Sequence, residues 1–373
     1  MNYTRMPIEI ESPEEIGYST IQYNLAESSV RDIHLNNLNL NLNDLLLCYG
    51  HHQGHPDLLA SIASESTVLK PADVLVCSGA ATALFIVATT LLSENDHLVV
   101  VRPNYGTNLE TPRAINCAMS IIDLTFEEGF SLNIDLIQKA IQPNTRLISI
   151  TNPHNPTGTV MSEAILNELV KLAEAYNCYL LVDETYRYLN FQTPLAPYLA
   201  EKSKNVISVS SLSKAFGVPG IRIGWIICQD ASLMHQFLAA KEQIMITNSV
   251  VDEQIALHIL QNQGNLLSQA HQHIRTNFAI VQTFFAQSPY LDWVEPTAGV
   301  VCFPRLKAGF RLNTEAFYKS LYANYQTLVG PGHWFEQDKI YMRIGFGYPT
   351  ADELTTGLQN LERCLGEHLS NGK

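Results

Sequence analysis

Six short runs of this sequence are apolar almost throughout: HLVVVRP at 97–103, MSIIDL at 119–124, RLISITNP at 146–153, YLLVDE at 179–184, NVISVSS at 205–211 and RIGWIIC at 222–228. A strand with one wet face alternates polar and apolar residues, whereas a strand covered on both faces need not. A helical stretch at 80–92 precedes the first of these runs, and another at 162–176 separates RLISITNP from YLLVDE. The pattern predicts an α/β fold with a mainly parallel sheet covered by helices on both faces. Ligands of such sheets gather at the carboxyl ends of the strands. The polar endings TNPHNPTG, DETY and SSLSK are therefore candidate site residues by position alone.

Beyond about residue 230 the texture changes. Long helical segments are expected at 231–262 and 265–288, followed by LDWV, GVVCFP, QTLV and YMRIGF alternating with helices at 314–324 and 351–369. The expected division is an N-terminal segment, 1–45, packing with a small C-terminal α/β domain, 276–373, around a large domain at 46–275. Within NNLNLNLNDLLL at 36–47 only the second half is expected to be structured.

Composition closes several routes. Lys and Arg total 23 against 36 Asp and Glu, a formal net charge of -13, so the surface repels nucleic acid and anionic membranes. The apolar run AATALFIVATTLL at 80–92 is shorter than the roughly 18 residues a membrane helix needs. MNYTRMPIEIESPEE has no apolar signal core, so export is not expected. Seven scattered cysteines without a C-x-x-C pair suit a reducing cytoplasm, with neither disulfides nor structural zinc. The histidines at 51, 52 and 55 lack a supporting carboxylate or cysteine ligand set, so no metal is expected. Glycines 217, 220 and 224 do not have dinucleotide-binding spacing.

TNPHNPTG at 151–158, DETY at 183–186, SLSK at 211–214, RIGW at 222–225 and YMRIGF at 341–346 occur in the order and rough spacing of the class I/II aminotransferases. Over nearly its whole length the chain resembles that family of fold-type I, pyridoxal-phosphate-dependent enzymes. The resemblance makes Lys214 the lysine that binds the cofactor aldehyde and then moves a proton, chemistry that an amine held beside an aldehyde can perform. Ser211 and Ser213 offer hydroxyls to the phosphate, and Arg222 a forked donor. Ser78 is expected to cap a helix whose first N–H groups, at Gly79 and Ala80, face the same phosphate.

Asp183 ends an apolar strand, where a carboxylate needs a positive partner, and the family supplies a pyridinium nitrogen. Glu184 points to the opposite face if the strand continues. By resemblance Tyr186 and Asn155 donate to the cofactor's phenolic oxygen, Tyr105 stacks on its ring, and Tyr49 reaches the phosphate of a neighbouring subunit, which implies a homodimer. Arg343, with Asn155 beside it among the substrate-binding residues, grips the α-carboxylate with two parallel bonds.

These correspondences imply transfer of an amino group from an α-amino acid to a 2-oxo acid by a ping-pong mechanism. Two alternatives stand beside it: a lyase, decarboxylase or cyclising enzyme of specialised amino-acid metabolism on the same fold, and a non-catalytic ligand-sensing protein. Departures from the family pattern bear on the substrate. The paired glycines of the small-lobe turn are Gly299-Val300, the arginine expected at 58–60 is absent, and IMITNSVVDEQ at 244–254 has no arginine for a side-chain carboxylate. An acidic substrate side chain is therefore less favoured.

Overall fold

A computed structural model describes residues 1–190 and 195–371. Seven strands form one sheet: β1 Val74–Cys77, β2 His97–Arg102, β3 Ala118–Asp123, β4 Thr145–Thr151, β5 Tyr179–Asp183, β6 Val206–Ser211 and β7 Gly224–Cys228, in the order β1-β7-β6-β5-β4-β2-β3. Pairing is parallel from β6 through to β3. Only β7 runs against its neighbours β6 and β1, which places Gly224 opposite both Ser211 and Cys77. The start of β7 thus lies at the same edge as the ends of β1, β4, β5 and β6.

Both faces of this sheet are covered, which is why its strands read as unbroken apolar runs. Val99, Val101, Ile148, Ile150, Leu180 and Val182 enter one core, and their alternating neighbours Leu98, Val100, Leu147 and Leu181 enter the other. β3 at the sheet edge carries exposed or half-buried residues at every position. β1 escaped the sequence reading because four apolar residues are too few to show a period of their own. The helix Gly79–Leu91 follows β1 and buries Ala83, Leu84, Ile86, Val87 and Leu91 in the second core.

Outside the large sheet, Met342–Gly345 pairs antiparallel with Val301–Cys302 and Gly330–Pro331. Tyr23–Asn24 adds in parallel to Thr327–Leu328. The chain then runs from Leu25, whose carbonyl accepts from Gly345 N at 2.7 Å, to Val30, whose N–H donates to the Lys214 carbonyl at 2.9 Å. This short segment spans the gap between the C-terminal elements and the end of β6.

Two sequence expectations fail. The segment 231–262 is two helices, Ala231–Ile244 and Val250–Gln261, because Met245 is extended and Ser249 caps the second by accepting from Asp252 N. Buried Asn248 pins the break, donating to the Val76 carbonyl at 3.3 Å and to Glu253 at 2.9 Å. In 36–47 the order is reversed. Leu35–Leu38 forms a 3-10 turn closed by Asn37 on His34 N, whereas the second half has no regular element and leaves Leu46 and Leu47 each 75% exposed. Those leucines find nothing to pack against within one chain. Among the described residues, no helix is long and apolar enough to cross a membrane.

Candidate active site

Four strand ends deliver polar groups to one edge of the sheet. β5 ends in Asp183, which is buried and bonded through one oxygen: Oδ1 accepts from Thr185 N at 3.0 Å and from Thr185 Oγ1 at 2.6 Å. Burial raises its pKa, while the Thr185 bonds and the positive charge of Lys214 oppose that rise. Lys214 follows β6, is half-buried, and has no hydrogen bond or salt bridge to its ammonium among the described residues. Glu184 indeed turns away. Its Oε2 accepts from Leu199 N at 3.3 Å, and burial pushes its pKa up to about 7.

Close to β6 the hydroxyls of Ser211 and Ser213 lie 2.8 Å apart. Arg222, just before β7, is exposed, adopts a left-handed backbone conformation (φ 49°) and donates to the Pro219 carbonyl at 2.9 Å. Its guanidinium lies over Gly79, where any Cβ would collide with it, and Gly79 has φ 80°. A Cβ at Gly224 would strike the backbone of Gly79, Ala80 and Ser210. Two glycines therefore let the start of the helix Gly79–Leu91 approach both the sheet and Arg222. Ser78 does not cap that helix, contrary to expectation, since its side chain makes no capping bond. The N–H groups at the start of this helix, the serine hydroxyls and the guanidinium are donors of the kind a phosphate accepts from.

Along the opposite side, Arg343 on the strand Met342–Gly345 is 4% exposed. Its Nη1 donates to Asn155 Oδ1 at 3.1 Å and its Nη2 to the Ala26 carbonyl at 2.7 Å, while Nε has no partner. The Phe335 ring centroid lies 5.0 Å from the guanidinium carbon. No carboxylate pairs with Arg343 among the described residues. Burial lowers its pKa. The Tyr186 hydroxyl is likewise buried with no partner, and it is electrostatically coupled to Arg343. A buried guanidinium without a counterion and an orphaned phenol cost folding energy unless a ligand satisfies them.

Tyr105 is fixed from below by Asn104, which is fully buried, accepts from Tyr105 N at 2.8 Å and from Thr151 Oγ1 at 2.9 Å. Its own hydroxyl donates to Glu9 at 3.2 Å. Tyr49 stands apart, 81% exposed and touching none of these groups. The family model for class I and II aminotransferases matches residues 19–361. The chain belongs to that family.

A pyridoxal-phosphate-dependent aminotransferase from Streptococcus suis superposes with a TM-score of 0.91 over 100% of both chains at 27% identity. Capreomycidine synthase from Streptomyces vinaceus is 28% identical over 88% of this chain and 83% of its own length. A probable N-acetyl-LL-diaminopimelate aminotransferase from Bacillus subtilis (strain 168) is 25% identical over 78% and 73%. The chain is an aminotransferase-family enzyme with pyridoxal phosphate as its cofactor, and the observed donor set fits that molecule. The Tyr186 hydroxyl, buried without a partner, leaves a hydrogen bond open to a ligand.

Sequence reasoning missed Thr185, Gly224, Asn104 and the segment 25–32. Thr185 was legible as the third residue of an Asp-x-Thr turn. The others depend on which elements meet in space. The three histidines serve local structure: His55 Nδ1 caps the helix Pro56–Ala63, His51 Nδ1 accepts from Gln53 N at 3.3 Å, and His52 lies 2.6 Å from Glu242.

Proposed function

We propose that this enzyme moves the amino group of an α-amino acid to a 2-oxo acid in two half-reactions at one site. The observation that carries the reading is Arg343, buried without a carboxylate between Asn155 and Ala26, beside the orphaned Tyr186 hydroxyl. A substrate α-carboxylate is the anion such a fork accepts through two parallel bonds, each charge-assisted contact contributing about 1.5–3 kcal/mol.

When bound, pyridoxal phosphate supplies a sink for the electrons of the bond broken at the substrate α-carbon. Ser78, Gly79, Ala80, Ser211, Ser213 and Arg222 would hold its phosphate, Asp183 its ring nitrogen, Asn155 and Tyr186 its phenolic oxygen, and Tyr105 its ring face. Lys214 would hold its aldehyde carbon. Displaced by substrate, the Lys214 Nζ takes the proton from the α-carbon. Arg343 orients that carbon and, sitting on the C-terminal strand, links substrate binding to closure of the small domain and exclusion of water.

The division into 1–45, 46–275 and 276–373 belongs to the same reading. So does a homodimer in which Tyr49 completes the neighbouring phosphate site, supported by its 81% exposure. A cytoplasmic location agrees with seven free cysteines.

Substitution Lys214→Ala tests the core of the proposal. It abolishes turnover and the visible absorbance of the lysine-bound cofactor, and full activity in that variant refutes it. A second reading, a synthase or lyase on this scaffold, is favoured by the likeness to capreomycidine synthase over 88% of the chain. Incubation with the amino donor alone separates the two. A transaminase stops after one equivalent with its cofactor aminated, whereas a synthase or lyase releases product continuously without a 2-oxo acid.

A further inference from the structure

Asp183 is buried at the end of β5, and its two oxygens stand in different surroundings. Oδ1 accepts from Thr185 N at 3.0 Å and from Thr185 Oγ1 at 2.6 Å, while Oδ2 has no hydrogen bond among the described residues. A carboxylate oxygen offers two lone pairs, and both of those on Oδ1 are thereby taken. A cationic N–H brought to this carboxylate can be received only at Oδ2.

Of the two donors, the backbone N–H would come from any residue at 185 except proline. The hydroxyl would not. It needs Thr or Ser, and at 2.6 Å it has the length of a charge-assisted bond to an ionised carboxylate. Thr185 is 6% exposed, so water is poorly placed to replace that bond.

The chain around this turn is held by other means. Asn152 N donates to the Asp183 carbonyl at 2.9 Å, Glu184 N to the Val209 carbonyl at 2.7 Å and Arg187 N to the Glu184 carbonyl at 3.0 Å. Ser210 Oγ also donates to the Glu184 carbonyl, at 3.1 Å. The path of the backbone therefore does not depend on the Thr185 hydroxyl, whose bond acts on the carboxylate. A donor on a carboxylate favours its charged form, whereas burial of Asp183 opposes it. Without the hydroxyl, Asp183 would compete more strongly for the proton of a cationic ring nitrogen. The ring would then be a weaker sink for electrons.

We propose that Thr185 is a positioning residue that acts through Asp183: its hydroxyl occupies Oδ1, turns Oδ2 to the cofactor ring nitrogen and keeps the proton between them on that nitrogen. The inference rests on the reading of Asp183 given above.

The charged and titratable groups that act on Asp183 are Lys214, Glu184 and Tyr105. Thr185→Val keeps the shape of the side chain, removes the hydroxyl and leaves all three in place. Glu184, pushed up by burial to about 7, points away and contributes equally in both proteins. The readout is the pH midpoint of the visible absorbance of the lysine-bound cofactor in the holoenzyme, because a positive ring nitrogen makes the nitrogen supplied by Lys214 less basic. Thr185→Val is expected to raise that midpoint by about half a unit or more and to lower kcat about tenfold with KM nearly unchanged, while Thr185→Ser stays close to the wild type. In an Asp183→Asn background, with no carboxylate left to tune, Thr185→Val adds no further shift. Should Thr185→Val not fold, Thr185→Ala must show the same rise. An unmoved midpoint, equal shifts in the Ser and Val variants, or a shift that persists beside Asp183→Asn overturns the inference and leaves the role of Asp183 intact. If Asp183→Asn itself leaves the midpoint where it was, the assignment of Asp183 to the ring nitrogen falls as well.

Discussion

Arg343 shows how a single side chain states a requirement that its neighbours do not meet. Its fork is aimed by Asn155 and Ala26 and backed by Phe335, yet its Nε is left open in a buried setting. A lysine at this position keeps the charge but loses the planar pair of donors. Arg343→Lys is therefore expected to lower kcat/KM by about 100-fold, chiefly through KM, while bound-cofactor absorbance persists. Steady-state kinetics beside a spectrum of the same sample checks both halves. Asp183 is the complementary case, a carboxylate held in place by Thr185 through one oxygen while burial resists its charge. A cationic ring nitrogen facing it, as proposed, would relieve that resistance, so that cofactor binding and the ionisation of Asp183 would reinforce each other.

At the scale of elements, the junction of β1, the helix Gly79–Leu91 and β7 depends on two missing side chains. Gly79→Ala places a methyl against Arg222 and strains a left-handed residue. Pyridoxal-phosphate affinity is expected to fall about tenfold or more, measured as Kd by titration of the apoprotein. The loop after β4 is held by His154, whose Nε2 faces the Pro103 carbonyl at 3.0 Å and must therefore donate, leaving Nδ1 to accept from Thr157 Oγ1 at 2.8 Å. Burial lowers the His154 pKa from 6.5 to about 4. The unfolded chain then binds more protons than the folded one between those values. Stability is full above the upper value and is lost as pH falls, by up to about 3 kcal/mol near pH 4. Denaturant unfolding of the wild type and of His154→Gln across this window shows the effect as a steeper acid loss in the wild type.

At the scale of the whole molecule, the exposed run containing Leu46, Leu47 and Tyr49 has no counterpart within one chain. If Tyr49 completes a neighbour's site, mixing inactive Lys214→Ala with weakened Tyr49→Phe subunits forms hybrids with one native site, and wild-type cofactor affinity and kcat/KM reappear in the mixture. Independent sites give only the sum of the two variants. The same large-scale view separates what was legible from what was not. Apolar runs such as YLLVDE announced buried parallel strands because side chains alternate between two covered faces. The polar residues after them gather at one place because parallel strands bring their carboxyl ends to one edge. Local sequence therefore determined six of the seven strands of the sheet and the edge at which Asp183, Asn155 and Lys214 stand. It did not determine that 231–262 breaks where Asn248 reaches Val76, that Gly224 packs on Gly79, or that the Ala26 carbonyl meets the Arg343 guanidinium. Those features arise between residues more than a hundred positions apart, and contact energies at such separations exist only once the chain has closed on itself.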